Sequence, residues 1–335
     1  MRAQQLVTPA QIEDNPLTLE ETPIPVPGER EILVCVNVCG ICHTDLHVVE
    51  GDLPLPRLPL TPGHQVVGVV ETTGKDVRSF QRGDRVGIPW LHSTCGECEY
   101  CRSGRENLCD RATFTGYHVD GGYAEYVVVG EEFAYPIPPQ FSTIHAAPLL
   151  CAGAIGYRAL RLSTVAAGQR VGLYGFGASA HIAIQILKHW KCDVYVFTRS
   201  QSHRRLAEEL GASWTGAAEE RPPHPVDGAV IFAPAGLLVP LALRSLRKGG
   251  TVALAGIHMS PIPQMDYALL YEERTLRSVA HSTRQDVKDL LQVAAQIPLR
   301  TEVETFPLAD ANMALQRLKK SQIRGSGVLV VSEEK

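Results

Sequence analysis

The sequence lacks the features that would attach it to a membrane or to a polyanion. No stretch approaches the roughly 20 consecutive apolar residues that a membrane-spanning helix requires. The opening Met1-Arg2-Ala3-Gln4-Gln5-Leu6 has no apolar core of signal-peptide length, and a cytoplasmic location is the expectation. Neither sign of charge dominates: 32 basic and 36 acidic residues give a net charge of -4. No field therefore favours nucleic acid or an anionic lipid surface, and a small metabolite is the expected partner. Internal repeats and low-complexity segments are also missing.

What is present is enough for two ordinary domains: 335 residues, 44% of them hydrophobic and 20% charged. There are nine cysteines, an odd number, and four of them crowd into residues 95 to 109. In a chain without a secretion signal this distribution favours metal thiolates over disulfides.

The grammar of the chain changes near Thr164. Before it, short β-rich runs such as Ile32 to Val38 and Val66 to Val70 alternate with Pro- and Gly-rich turns, most densely from Gly51 to Gly63. After it, strands at Val171 to Tyr174, Asp193 to Phe197, Ala229 to Phe232 and Thr251 to Ala255 alternate with helical runs. Those runs are Ala178 to Trp190, one through Arg204 to Leu210, and Leu237 to Leu246. Such alternation predicts a parallel sheet with helices on both faces. Two more helices, Gln285 to Ala295 and Ala309 to Lys319, and a strand from Gly327 to Val331 close the chain.

Three segments carry chemistry. Cys95-Gly-Glu-Cys98-Glu-Tyr-Cys101, with Cys109 after seven intervening residues, offers four thiolates for a closed, tetrahedral and hence structural zinc; an iron centre and loose thiols are the alternatives. Cys42, His64 and Cys151 are dispersed. Three mixed sulfur and nitrogen donors would leave the open fourth position of a catalytic zinc, yet singly each reads as a buried thiol or an ordinary imidazole.

The third segment, Gly175-Phe-Gly177-Ala178-Ser179-Ala180, leaves a strand and opens a helix, the setting for a dinucleotide pyrophosphate. At the end of the next strand, where an acid would hold the adenosine ribose of NAD, stand Thr198, Arg199 and Ser200, with His203, Arg204 and Arg205 beyond. That suits NADP, with a solvent-facing basic helix start as the bland alternative.

With these residues in view, the whole chain resembles the zinc-containing medium-chain alcohol dehydrogenase family of the cytoplasmic bacterial type. The Gly40-Ile-Cys42-His43-Thr44-Asp45, Gly63-His64, four-cysteine and Cys151-Ala-Gly153 segments occur in the family's order. The resemblance implies an α/β protein. A β-rich GroES-like catalytic domain would span 1–152 and be completed by 282–335, and a doubly wound Rossmann domain would span 153–281.

It further implies two zinc ions per chain, a catalytic one on Cys42, His64 and Cys151 and a structural one on Cys95, Cys98, Cys101 and Cys109. Asp45 would orient His64 from behind, Thr44 would take the substrate proton, and His47 would end the relay. His43, Gly175, Gly177, Ala178, Ser179, Thr198, Arg199, Ser200, Arg204 and Val279 would hold the cofactor, NADP being favoured and NAD the alternative. Leu53 and Trp90 fall where the family narrows its substrate pocket, although core packing explains them equally.

The implied reaction moves a hydride between the cofactor and a primary or simple secondary alcohol/aldehyde pair, the alcohol oxygen being held by the catalytic zinc. An aldehyde reductase of the cinnamyl type and a non-catalytic zinc- and nucleotide-binding relative are the rival readings. A homo-oligomer, tetramer or dimer, goes with the resemblance. Three departures from the family pattern stand out: Gln65 in place of Glu after the zinc histidine, Ser326 in place of an Arg near the cofactor phosphates, and the neutral Thr198.

Overall fold

A computed structural model describes residues 1–332, and they divide into two units. The first comprises Met1–Cys151, Ser282–Ala295 and the chain from Thr301; the second comprises Ala152–His281 and Gln296–Arg300. Residues 296–300 group with the second unit because the Arg300 amide and carbonyl both hydrogen-bond the Gln185 side chain. No helix among the described residues is long and apolar enough to cross a membrane.

The first unit is built on a seven-stranded sheet whose centre is the strand Glu31–Ile41. It pairs antiparallel with Val66–Thr73, with Tyr126–Gly130 and with Ser326–Val330, so the C-terminal strand closes onto the N-terminal half of the chain. Nine of its eleven residues are buried. A strand covered on both faces reads as a near-continuous apolar run rather than an alternating one, and this is why its sequence is legible. Arg85–Ile88 and Tyr135–Pro136 extend the sheet on one side and Val303–Pro307 on the other. Where Glu31–Ile41 ends, Cys42 caps the helix His43–Glu50, so the helix starts from a rigid strand end.

The second unit is a six-stranded, wholly parallel sheet. Its order is Trp214–Gly216, Asp193–Phe197, Arg170–Tyr174, Val226–Ile231, Leu246–Leu254 and Thr275–Ser278. The chain winds outward in both directions from Arg170–Tyr174, so the topological switch point lies at the carboxyl end of that strand. The helix Ala178–His189 follows it, burying Ile182, Ile186 and Leu187 against the sheet.

The helix at Ala152–Leu162 and the edge strands Trp214–Gly216 and Thr275–Ser278 carry no clear sequence signal. Gly153 and Gly156 lower the helix propensity of the first, and the other two have only three and four residues.

Candidate functional site

Within the first unit the side chains of Cys42, His64 and Cys151, separated by up to 109 positions, converge so that their donor atoms all lie within 4.8 Å of one another. The two sulfurs are 3.9 Å apart. His64 is fully buried; its Nδ1–H donates to Asp45 Oδ1 at 2.8 Å, while Nε2, also buried, finds no hydrogen-bond partner among the described residues. A carboxylate can only accept, so the contact fixes the proton on Nδ1 and leaves the Nε2 lone pair as the donor. A buried ring nitrogen beside two cysteine sulfurs, with no hydrogen-bond partner among the described residues, is matched by a soft or borderline divalent cation, so the residues present fit zinc.

The electrostatics agree. Burial opposes charge on His64, but the carboxylate of Asp45 and the neighbouring Cys42 outweigh it and raise the ring to about 10, so without metal Nε2 also carries a proton, which a bound cation would displace. The hydrogen bond from Cys151 pulls the Cys42 thiol well below its usual range, while the same contact and burial push Cys151 up. The pair thus shares a thiolate poised for a cation.

Local structure explains how these atoms are held. Cys42 is the N-cap of His43–Glu50: its sulfur accepts from the Thr44 amide at 3.2 Å, and Asp45 Oδ2 accepts from the Cys42 amide at 2.8 Å, which completes a capping box. Asp45, 1% exposed, therefore ties the helix start to His64. Gly63 has φ +101, and a Cβ there would lie 2.3 Å from the Tyr123 ring, so only glycine lets the His64 segment lie against that buried phenol.

Thr44 and His47 sit three residues apart on one face of the helix, Thr44 buried and His47 half-buried. His43 is exposed in the first turn. Trp90 is buried, packs edge-on to His64 at 4.7 Å between centroids, and is stacked by Phe114 and Tyr117. Leu53 is partly buried against the same core. The Phe114 and Tyr117 contacts had no signal in the sequence, since they join residues 24 and 27 positions from Trp90 with no motif between them. Gln65 is buried, with its carbonyl accepting from the Gly40 amide.

The second cysteine set also converges. Cys95, Cys98, Cys101 and Cys109 place their sulfurs within 4.8 Å of one another, with Cys98 and Cys101 at 3.5 Å and Cys95 and Cys101 at 3.8 Å. Backbone amides of Glu97 and Cys98 pull the Cys95 thiol down to about 6, so one thiolate is present at neutral pH. Four sulfurs with no further donor make a closed set, in contrast to the three of the other site.

In the second unit the turn after Arg170–Tyr174 has Gly175 at φ +87, where a Cβ would stand 3.0 Å from the Ala233 amide. Gly177 caps the helix Ala178–His189 without a side-chain partner for its amides, and a Cβ there would meet nothing within 4 Å. Open space before free helix amides is the cradle a pyrophosphate fills. Ala178 and Ser179 form the first turn, and Val279 is buried at the end of the last strand.

Thr198 is buried at the end of Asp193–Phe197, and Ser200 caps the next helix. Arg204 donates to the Thr198 carbonyl at 2.9 Å and faces Glu220 at 3.7 Å, whereas Arg199 is exposed. His181, on the same helix as Ala178, is almost fully buried, a feature the sequence did not flag.

Soft metal donors in one unit and a dinucleotide-type turn in the other are the equipment of a metal-assisted dehydrogenase. Residues 28–139 match the alcohol dehydrogenase GroES-like domain and residues 180–296 the zinc-binding dehydrogenase domain. The chain is 45% identical over 337 residues to a Mycobacterium tuberculosis protein named probable alcohol dehydrogenase AdhA, covering 99% of this chain and 97% of that one. It is 39% identical over 331 residues to an alcohol dehydrogenase of Geobacillus stearothermophilus, covering 94% and 96%. A crystal structure of an NAD-dependent alcohol dehydrogenase superposes with a TM-score of 0.91 at 26% identity, covering 99% of this chain and all of the other.

The chain belongs to the zinc-containing medium-chain alcohol dehydrogenase family. Its two units have the family's GroES-like and Rossmann folds. It is an oxidoreductase of alcohol/aldehyde pairs, and zinc and a nicotinamide cofactor belong to its chemistry.

Proposed function

We propose that the chain interconverts primary or simple secondary alcohols and their carbonyl products with NADP as preferred cofactor and two zinc ions per chain. The observation that carries the reading is the convergence of Cys42, His64 and Cys151 at the start of the helix that bears Thr44 and His47. In this reading residues 1–152, with 282–335, form the catalytic domain and 153–281 the dinucleotide domain. Cys42, His64 and Cys151 hold the catalytic zinc; Cys95, Cys98, Cys101 and Cys109 hold the structural one.

When bound, zinc supplies the Lewis acidity that favours an ionised alcohol, and the nicotinamide supplies the hydride acceptor. The chain does the rest. Asp45 holds His64 in its ligating tautomer. The Thr44 hydroxyl takes the substrate proton and passes its own toward His47, its neighbour on the same helix face. Leu53 and Trp90 confine the substrate, and an aromatic wall of that kind suits modest alcohols rather than polyols. His43 and the amides from Gly175 to Ser179 bind the cofactor phosphates. A cytoplasmic homo-oligomer, a tetramer in preference to a dimer, is part of the proposal.

Cofactor choice rests on the strand end. Thr198 is neutral, Ser200 is occupied as a cap, and Arg204 is engaged by the Thr198 carbonyl and Glu220, so the exposed Arg199 is the guanidinium best placed to meet a 2'-phosphate. One charge-assisted contact supplies about 1.4 kcal/mol, a tenfold preference. The test is the ratio of kcat/KM for NADP and NAD in the parent, in Thr198→Asp and in Arg199→Ala. Both variants should move the ratio toward NAD by about tenfold. A parent that prefers NAD and does not respond to either substitution would overturn the reading.

A further inference from the structure

The ring of His47 has a built partner. Its Nδ1 lies 2.8 Å from Asp52 Oδ2, five residues on, just past the end of the helix. That helix end is closed by backbone alone. Gly51, at φ +77, donates from its amide to Val48, and the Asp52 amide donates to the His47 carbonyl at 2.9 Å, the paired bonds of a Schellman motif. The Asp52 side chain is not needed for the turn; among the described residues it contacts the His47 ring. A carboxylate beside an imidazole nitrogen accepts a proton-bearing N–H, so the contact selects the Nδ1–H tautomer and gives Nε2 the lone pair.

From this geometry we infer that Asp52 is a positioning residue for the proton relay: it holds His47 in the tautomer and orientation in which Nε2 accepts the proton that leaves through Thr44. The inference rests on the reading of His47 as the outer end of that relay. Balance is simple. The substrate hydroxyl loses a proton to Thr44 Oγ1, Thr44 gives up its own proton to the relay, His47 Nε2 takes one proton at the relay's outer end, and the imidazolium formed, with both nitrogens protonated, is stabilised by the Asp52 carboxylate until Nε2 releases its proton to solvent. Without Asp52 the neutral ring would also populate the Nε2–H form, which donates where an acceptor is needed. As a surface pair, with Asp52 nearly half exposed, the contact adds little to stability; its value lies in which nitrogen carries the proton.

The test uses the zinc-loaded enzyme with saturating cofactor and compares D52A, D52E, H47Q and the double variant. D52A should lower kcat for alcohol oxidation by about tenfold, the lower end of what loss of an orienting partner to a histidine costs, with KM for the alcohol little changed. D52E should recover most of the rate, and D52A should add nothing in the H47Q background, because both act through one ring.

A readout independent of turnover is the ¹⁵N spectrum of histidine-labelled protein, in which the signals missing from H47Q identify His47. They should report Nδ1–H in the parent and a shift toward Nε2–H in D52A. Wild-type kcat in D52A with an unchanged tautomer, alongside a slowed H47Q, would overturn the role of Asp52 alone. Wild-type kcat in H47Q would overturn the relay reading on which it rests.

Discussion

Asp45→Asn changes one buried atom from oxygen to nitrogen and should uncouple the metal site without disturbing its shape. In the parent the carboxylate accepts twice, from His64 Nδ1–H and from the Cys42 amide, both at 2.8 Å. An asparagine has one acceptor oxygen and one NH₂. If the oxygen keeps the Cys42 amide, the NH₂ faces His64 Nδ1, and the ring must carry its proton on Nε2, pointed at the two sulfurs. If the oxygen keeps His64, the NH₂ faces the Cys42 N–H and the cap is lost. Either His64 loses the nitrogen that faces the sulfurs as a ligand or a donor opposes a donor, at a site that is 1% exposed, and both outcomes are costly.

Loss of the partner that orients a metal-bound histidine weakens metal affinity about 10- to 100-fold, equivalent to about 1.4–2.8 kcal/mol. The assay is competition with a chelator of known affinity, following the zinc whose removal parallels loss of activity, with thermal melting of the metal-free forms as a control for folding. Asp45→Asn protein that is folded and holds that zinc as tightly as the parent would refute the reasoning.

Two further outcomes follow from the same structure. Cys98→Ser removes one of four sulfurs from the lobe and should leave one zinc per chain and lower Tm by more than about 5 °C. Metal analysis and calorimetry check it, and a variant with two zincs and unchanged Tm would show that the quartet is not a metal site. His181 gives a pH dependence: burial holds the ring down to about 4, against about 6.5 in an unfolded chain. The depressed value means that the stabilising effect is complete above about pH 6.5 and is lost as pH falls toward 4, by about 3 kcal/mol. Urea unfolding at pH 7 and pH 4.5 should show a smaller acid loss for His181→Gln than for the parent, and equal losses would contradict the assignment.

Much of this was legible because strong local rules and tertiary demands coincide. Strands buried on both faces, such as Glu31–Ile41 and Asp193–Phe197, read as apolar runs, and the turn at Gly175 combines a positive φ with a neighbour that would stand only 3.0 Å from a Cβ. The four-cysteine lobe is local, so spacing alone suggested it. The other donor set is not: Cys42, His64 and Cys151 lie on three separate segments, and only the order of motifs joined them before the structure brought their donor atoms within 4.8 Å.

Illegible features depend on packing between distant segments or on the end geometry of an element. The stack of Phe114 and Tyr117 on Trp90, the burial of His181 and the reach of Asp52 to His47 belong to that class. The helix Ala152–Leu162 was hidden by its own glycines, and tertiary packing overrides that weak propensity.

If three dispersed residues form one catalytic metal site, Cys151→Ala should empty it. Its sulfur is 3.9 Å from that of Cys42, while the cofactor turn from Gly175 to Ala180 shares none of the metal donors. Zinc per chain, cofactor binding by fluorescence and alcohol oxidation should be measured on one preparation. Zinc should fall from two to one per chain, turnover should be lost, and NADP should bind as in the parent; two zincs with substantial turnover would contradict a shared site.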